Sequence, residues 1–230
     1  GYWQWDFTQT TNRIYLAFRV LARALSVDNW WYHVRVYYSV DDGSSWVQSF
    51  DYETGDQGYQ CGVTISSWDF QHSDGVVLVD GEYYEPFFNY WAFNGTGWSE
   101  KSTFGSKPSY THVEYNSMSM VTKNGQVHFA YIPTRDSGGV ISYQYFTTSW
   151  SSVTIVDYSA CMDPSLSAAS SSLYLIYRIG SALYYRAMNY SSNTCASSAT
   201  VLASGETSPS YITSEKYPTA NSVGIVWRTG

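Results

Sequence analysis

The chain has 230 residues, of which 19% are aromatic and only 13% charged, and its formal net charge is −7. It contains no stripe rich in Lys and Arg, which argues against nucleic-acid binding, and no apolar run that approaches the roughly 18 residues of a membrane span. The 23 Tyr and 10 Trp favour strands, and the many Ser and Gly favour turns. The composition therefore predicts an all-β protein without a membrane span in this segment.

An internal repeat runs along the chain. Four similar runs of β-branched, aliphatic and aromatic residues recur, and three tryptophans follow strand-like runs at a spacing of 52 residues. A repeat of about 45–50 residues with four short strands is the period of a β-propeller blade. The apolar runs are residues 14–19, 127–132, 173–178 and 223–228, and the tryptophans are Trp46, Trp98 and Trp150.

The predicted strands, in chain order, make antiparallel blades of four strands. Blade one (about 1–55) has strands at 2–7, 13–20, 32–39 and 45–50, and blade two (about 56–104) has strands at 62–70, 76–80, 87–93 and from 98. Blade three (about 105–160) has strands at 117–122, 126–132, 140–146 and 150–156, and its first turn, Asn124-Gly125, is a favoured hairpin signal. Blade four (about 161–205) has strands at 165–169, 173–178, 182–188 and 200–203, and a partial fifth blade (206–230) has strands at 211–214 and 222–228.

About five blades are visible, and we expect them to form one domain, residues 1–230. A propeller has to close, because an open sheet leaves exposed edges. Two explanations of the partial blade stay open: the chain is a fragment of a larger propeller, or the ring has five blades and an imperfect last one. A stack of hairpins without ring closure is a third alternative.

One hairpin of blade one carries a specific motif, Ser39-Val-Asp-Asp-Gly-Ser-Ser-Trp46. Asp41 can accept bonds from turn N–H groups, Gly43 can supply a positive φ, and Trp46 is expected to pack between neighbouring sheets. The motif resembles the Asp-box, or BNR repeat, of sialidases and related lectin-like propellers. In that family the box lies on the face opposite the catalytic centre, so the resemblance implies a fold and a structural role rather than an activity.

Charged residues at the predicted strand ends are candidates for ligand binding. Arg19, Arg178 and Arg228 each end the second strand of a blade, on the face opposite the motif, where guanidiniums could hold a carboxylate. Arg135, Asp80 and Glu82 lie in the corresponding loops of other blades. The alternative is that these arginines neutralise buried carboxylates or cap strands. The family resemblance would require three such arginines, a Tyr–Glu pair and an Asp, and no catalytic residue can be assigned.

Aromatic residues in a long loop give a second set of ligand-binding candidates. The loop between the second and third strands of blade one, residues 21–31, ends in the adjacent Trp30 and Trp31. Neighbouring side chains of a strand point to opposite faces, so at least one of these rings is a candidate for stacking on a sugar. The alternative is that the ring packs on the next blade or on a partner subunit.

Cysteines and sequons bear on localisation. Cys161 and Cys195 flank blade four and could form a disulfide, although free buried thiols are an equal alternative, and Cys61 leaves the count odd. Two sequons, at Asn94 and Asn189, lie in predicted turns and are candidate glycosylation sites. With low Lys and abundant Ser, Thr and Tyr, they predict an extracellular or cell-surface glycoprotein. The scattered His and Cys predict no metal site, and nothing indicates a cofactor.

Three functional classes remain, in order of preference. The first is a carbohydrate-binding propeller or adhesin that recognises a glycan or another cell-surface ligand. The second is a structural protein of a surface layer, filament or viral fibre, in which aromatic surfaces drive self-assembly. The third is an enzyme, a sialidase-like glycoside hydrolase. No nucleic-acid partner is expected.

Overall fold

The computed structural model describes residues 4–23, 30–54, 62–82, 85–107, 117–133, 139–189, 194–205, 210–218 and 222–228. These residues form 18 strands, and none of them lies in a helix, so no described helix could cross a membrane. The contacts divide the chain into two compact units, Gly1–Tyr115 and Asn116–Gly230.

The first unit contains two antiparallel sheets of four strands, each a simple meander in chain order. Their strands are rich in Val, Ile, Tyr, Trp and Phe, the residues that fit a pleated and packed surface. The first sheet comprises β1 (Gln4–Gln9), β2 (Ile14–Arg23), β3 (Trp30–Ser39) and β4 (Val47–Glu53). The second comprises β5 (Val63–Ser67), β6 (Val76–Asp80), β7 (Phe88–Phe93) and β8 (Ser102–Phe104).

One face of the β1–β4 sheet packs against one face of the β5–β8 sheet. Tyr15, Ala17 and Val36 are fully buried there, as are Ile65 and Leu78 from the facing sheet. Asp6 of β1 fixes the approach, because its carboxylate accepts bonds from the hydroxyl of Thr64 and the N–H of Ile65. The two sheets therefore share one apolar core, closed at the edge by polar bonds.

The second unit contains a larger antiparallel sheet and a separate hairpin. The large sheet runs in order from β15 to β9, and β16 pairs with β14. Its strands are β9 (Met118–Lys123), β10 (Gln126–Tyr131), β11 (Gly139–Phe146), β12 (Thr154–Ala168), β13 (Leu173–Ile179), β14 (Ala182–Asn189), β15 (Thr194–Cys195) and β16 (Thr200–Ala203). The hairpin is β17 (Ser210–Ser214) with β18 (Ile225–Arg228).

The β12 strand corrects the predicted division between blades three and four. The sequence predicted separate strands at 150–156 and 165–169, whereas β12 runs without interruption from Thr154 to Ala168. Its first half pairs with β11 and its second half with β13, with a register shift between Met162 and Ser165. Asp163 has a φ of 53° at this point. A residue in the left-handed conformation, together with a β-bulge, bends the strand, so that its two halves pair with different neighbouring strands.

The hairpin between β9 and β10 confirms the turn predicted from Asn124-Gly125. These two residues have φ values of 49° and 71°, and positive φ at both central positions is the requirement of a type I′ turn. The pairing of Gln126 with Lys123 directly follows the turn. A two-residue sequence signal therefore sets the register of this hairpin.

Candidate functional site

The Asp-box-like turn between β3 and β4 is held by its own side chains. The Ser39 hydroxyl donates to Asp41 Oδ1 at 2.7 Å and accepts from the Gly43 N–H at 2.8 Å. The other contacts come from Ser45, whose hydroxyl and N–H both donate to Asp41. These bonds, first from Ser45 and then from Ser39, lower the pKa of Asp41 to about 2. Gly43 has a φ of 87°, which a residue with a side chain rarely adopts.

The role predicted for Trp46 belongs instead to Trp98. Trp46 folds back over its own turn, where its indole N–H donates to the Gly43 carbonyl at 3.1 Å, and it is 40% exposed. Trp98, at the matching turn of the β5–β8 sheet, donates to Ser49 Oγ at 2.9 Å and packs on Phe50 of β4. Trp98 is therefore the tryptophan that anchors the two sheets to each other, because it contacts residues of β4.

The opposite end of the first unit holds a buried ion pair that joins two predicted site residues. Arg19 Nε lies 3.6 Å from Asp80 Oδ1, and both side chains are almost fully buried. The guanidinium also donates to Thr54 Oγ1 at 3.1 Å and lies 5.1 Å from the ring centre of Tyr32. Arg19 lies within β2 rather than at its end, because β2 extends to Arg23. These contacts fix the guanidinium from several sides.

A second polar cluster at this end is built around Glu82. Asn89 Nδ2 donates to Glu82 Oε2 at 2.6 Å, and Lys101 Nζ lies 3.7 Å from the same oxygen. Burial alone would lower the pKa of Lys101, but the hydrogen bond with Tyr52 and the charge of Glu82 outweigh it and raise the pKa. Asn89 also pairs directly with Asp80 across β6 and β7, which places the two clusters side by side.

The remaining predicted arginines fall in the second unit or outside the described residues. Arg178, near the end of β13, donates from Nε to Asp163 Oδ2, and Asp163 is buried at the bend of β12. Arg228 is the last residue of β18 and is exposed. Arg135 lies outside the described residues. The structure thus places Arg178 beside a buried carboxylate, as it does Arg19.

The loop that carries Trp30 and Trp31 is shorter than the sequence indicated. Strands β2 and β3 extend to Arg23 and Trp30, which pair with each other. The connection between them is therefore residues 24–29 rather than 21–31. The side chains of both tryptophans lie outside the described ones, so their proposed stacking role stays a prediction.

Sequence reasoning missed a buried cluster in the second unit. Arg186 donates to Asp157 Oδ2 at 2.8 Å and to the Tyr177 hydroxyl at 3.0 Å, and that hydroxyl donates to Asp157 at 2.9 Å. Burial would raise the pKa of Asp157, but bonds from the Ser159 N–H and Arg186 lower it to about 2. Arg186 lies in the middle of β14. The only sequence signal was that it stands two residues from Tyr184 and from Met188, which places the three side chains on one face of the strand.

The cysteine and sequon positions are partly described. Cys161 carries a free, fully buried thiol, the second alternative left open by the sequence, and burial raises its pKa to about 12. The side chain of Cys195 and the whole of Cys61 lie outside the described part. Asn94 Oδ1 accepts from the Thr96 hydroxyl at 2.8 Å within an exposed turn, and Asn189 ends β14. Glycosylation of either residue stays a prediction.

A metal site and an apolar cleft were the remaining possibilities for a site among the described residues. No group of three or more His, Cys, Asp or Glu side chains in the described ranges is arranged to hold a metal ion. A cleft of about 260 Å³ lies between β13–β14–β16 and the β18 segment of the second unit. Its lining consists of Tyr174, Ile176, Tyr185, Leu202, Val223 and Ile225.

Comparison with known proteins defines the fold. No protein-family model matches the sequence, and no curated protein matches it. The structure is similar to the GH93 α-L-arabinofuranosidase of Fusarium graminearum, with a TM-score of 0.65 and 14% identity over 99% of this chain and 74% of that one. It is also similar to a fucose-binding lectin of Aleuria aurantia, with a TM-score of 0.55 and 10% identity over 98% of this chain and 71% of that one.

A third similar structure is a sialidase. The NanB sialidase of Streptococcus pneumoniae matches with a TM-score of 0.56 and 15% identity, over 86% of this chain and 32% of that one. A second structure of the Aleuria lectin is described as a six-bladed β-propeller. At these identities the similarity concerns the fold alone, and it confirms the prediction of an all-β β-propeller with antiparallel blades.

Proposed function

We propose that this chain is a glycan-recognition propeller that binds saccharide at the Arg19–Asp80 and Glu82–Asn89–Lys101 clusters of its first unit. The proposal includes a single propeller domain of the Asp-box type, with its ligand at the end opposite the Asp-box-like turn. It also includes an extracellular or cell-surface location, in keeping with the two sequons. The fold is shared by lectins and glycoside hydrolases, and this supports a saccharide as the ligand.

The observation that carries the proposal is the density of buried polar groups at one end of an otherwise apolar core. Arg19, Asp80, Glu82 and Asn89 are each at most 4% exposed. Burying such groups costs several kcal/mol of free energy unless they are paired. Their concentration at one end of the core therefore favours a functional role for this end. Fixed carboxylates, amides and cations are the groups that bind sugar hydroxyls in a defined orientation.

The second element of saccharide recognition is an aromatic ring beside the polar groups. Lys101 Nζ lies 5.6 Å from the ring centre of Tyr52, and Tyr32 lies beside Arg19. A sugar combines an apolar ring face with polar edges, so adjacent rings and charged groups match both parts of it. Trp30 and Trp31 are the first two residues of β3, at the same end of the sheet.

Binding to soluble oligosaccharides tests the proposal. Isothermal titration with arabino-, fuco- and sialo-oligosaccharides should find one class that binds. Glu82→Gln and Lys101→Ala should each weaken that binding about 10-fold or more, as expected for the loss of a hydrogen bond to a charged group. Glu100→Gln is the matched control, because Glu100 is exposed and next to Lys101. Equal affinities for all four proteins would reject the site.

A glycoside hydrolase is the second candidate, and one observation favours it. Asp80 and Glu82 are both buried at the end of β6, but they have different partners, a guanidinium for one and an amide with an ammonium for the other. In glycosidases, two carboxyl groups in unlike surroundings take different roles, one as the general acid and the other as the base or nucleophile.

Turnover of chromogenic glycosides separates the two candidates. Hydrolysis of an aryl α-L-arabinofuranoside or an aryl sialoside that is abolished by Glu82→Gln, with thermal stability retained, would establish an enzyme. Binding without turnover would leave the lectin-like function. A structural role in a surface layer or fibre would instead appear as regular polymers in electron micrographs, without saccharide affinity.

A further inference from the structure

In the second unit, the contact between β12 and the β17–β18 hairpin repeats a contact of the first unit. Asp6 of β1 accepts a hydrogen bond from the Ile65 N–H of the facing sheet at 3.0 Å. Ser165 of β12 accepts in the same way from the Ser214 N–H of β17, also at 3.0 Å. Because the two bonds stand at the same place in the repeat, the residues around them can be matched one by one.

The matching places Arg178 in the second unit where Arg19 lies in the first. The strand partners of the two acceptors are Ala17 of β2 and Ile176 of β13. Arg19 and Arg178 each stand two residues beyond these partners, and therefore lie on the same face of their strands. Both faces are turned towards the next sheet of the repeat, since Ala17 belongs to the core shared with β5–β8 and Ile176 clusters with Ile212 of β17.

The facing strands differ at the matched position, where one carries a carboxylate and the other an indole ring. The strand partners of the two donors are Leu78 of β6 and Ile225 of β18. Two residues further along these strands are Asp80 and Trp227. The place from which Asp80 meets Arg19 in the first unit is therefore occupied by a tryptophan in the second.

Arg178 takes its carboxylate from its own sheet and keeps part of its guanidinium available. Its Nε donates to Oδ2 of Asp163, whereas Nη1 and Nη2 have no hydrogen-bond partner among the described residues. The Arg178 side chain is 19% exposed, compared with 2% for Arg19. A guanidinium that is fixed at Nε and open at its two Nη groups presents a planar pair of donors to a ligand.

Trp227 lies beside this guanidinium on the facing strand. It packs on the cluster of Ile176, Leu183 and Ile212, and Leu183 is the strand partner of Arg178. Trp227 is only partly buried, and its indole N–H makes no hydrogen bond within the described part of the chain. An aromatic ring and a pair of free donors therefore border the same small apolar cluster.

The carboxylate that holds Arg178 is itself rigidly placed. Asp163 is buried and adopts a φ of 53° at the bend of β12, and bulges of this kind are frequent beside binding sites. The strand is tied on both sides just after the bend, because the Leu166 N–H donates to Ser119 Oγ at 2.9 Å and the hydroxyls of Ser165 and Ser214 lie 2.8 Å apart. The guanidinium is thus oriented before any ligand binds.

We propose that Arg178 and Trp227 form a second saccharide site, in the second unit, which shares no residue with the first. The ring of Trp227 stacks on the apolar face of the sugar, and the Nη groups of Arg178 donate to two adjacent hydroxyls. Because Asp163 already neutralises the guanidinium, the ligand is an uncharged saccharide rather than an acidic one. This inference rests on the proposed function, since it takes the same class of ligand.

Isothermal titration with uncharged arabino- and fuco-oligosaccharides tests the proposal on the full chain. The unaltered chain should bind two equivalents. Arg178→Gln and Trp227→Leu should each weaken one of the two sites about 10-fold or more and leave the other, whereas Glu82→Gln should do the converse. Val226→Thr is the matched control, because Val226 is 67% exposed and points to the opposite face of β18, and it should leave both sites unchanged.

The variants separate this inference from the proposed function. A single equivalent that Glu82→Gln abolishes and Trp227→Leu leaves intact would overturn the second site and keep the first. A single equivalent with the reverse pattern would support the second site and reject the first, and a chain that binds no oligosaccharide would overturn both.

Nuclear magnetic resonance gives a reading that does not depend on stoichiometry. The chain has 10 tryptophans, and the indole N–H signal of Trp227 is the one that Trp227→Leu removes. This signal should shift on addition of the oligosaccharide, and a signal that stays in place at saturation would overturn the proposal. Circular dichroism shows whether Arg178→Gln folds without the cation beside Asp163; Trp227→Leu keeps an apolar side chain at its position and serves as the independent variant.

Discussion

His128 is expected to make the stability of the second unit depend on pH between neutrality and pH 4. The side chain is fully buried in β10, with Nδ1 at 2.5 Å from the Tyr143 hydroxyl and Nε2 at 3.1 Å from the Lys123 carbonyl. The carbonyl requires a proton on Nε2, so Nδ1 accepts from Tyr143 and the ring is neutral. Burial lowers the pKa of His128 from 6.5 to about 4, against the opposing effect of the Lys123 carbonyl.

The direction and size of the effect follow from linkage. Because the pKa is lower in the folded chain, the unfolded chain binds the proton first as the pH falls. The stability is complete above about pH 6.5, decreases as the pH falls from 6.5 towards 4, and levels off below that. One pKa unit corresponds to about 1.4 kcal/mol, so the total loss from this residue is about 3 kcal/mol.

Urea unfolding at a series of pH values measures this loss, with hydrogen exchange of the β9–β11 amides as a local reading. His128→Gln keeps a donor for the Lys123 carbonyl but cannot titrate, so its free energy of unfolding should lack this pH dependence. Tyr143→Phe removes the hydrogen bond to the neutral ring but keeps a titrating histidine, so it should lower stability by about 1 kcal/mol at pH 7 and still show a loss of stability as the pH falls. Equal slopes for the unaltered chain and His128→Gln would refute the reasoning.

Three further predictions concern packing and charge. Asp157→Asn should lower the free energy of unfolding at pH 7 by about 3 kcal/mol, because it leaves the largely buried guanidinium of Arg186 without its carboxylate. The lowered pKa of Asp157 places the corresponding wild-type loss below about pH 4, so urea titrations should show a smaller difference between the two proteins at pH 3 than at pH 7. Trp98→Phe should lower the free energy of unfolding by about 1–2 kcal/mol, because it loses the hydrogen bond to Ser49. Trp46→Phe should lower it by less than about 0.5 kcal/mol. Equal melting temperatures for the two variants would contradict the assignment of Trp98 as the anchor. Gly95→Ala should lower the free energy of unfolding by about 2 kcal/mol or more, because Gly95 has a φ of 88° and the added Cβ would lie 2.2 Å from the Ser73 carbonyl oxygen. In Gly97→Ala the added Cβ meets no atom within 4 Å, so this variant should keep nearly the same melting temperature as the unaltered chain.

The sequence alone was sufficient for features that short segments specify. Alternating aromatic and β-branched runs, repeated at one period, predicted the all-β propeller, because strand pairing in a meander joins segments that are close in the chain. Asn124-Gly125 predicted its hairpin for the same reason. The Ser39–Trp46 segment predicted its turn, since the side chains that close it lie within eight residues.

The tertiary structure alone decided the features that depend on distant partners. Arg19 meets Asp80, Trp98 meets Ser49, and Arg186 meets Asp157, and no local pattern encodes these distances in the chain. The merging of two predicted strands into β12 likewise depends on neighbours on both sides. Whether a tryptophan anchors a sheet, as Trp98 does, or covers its own turn, as Trp46 does, is set by what packs against it, and a repeat gives both residues the same sequence signal.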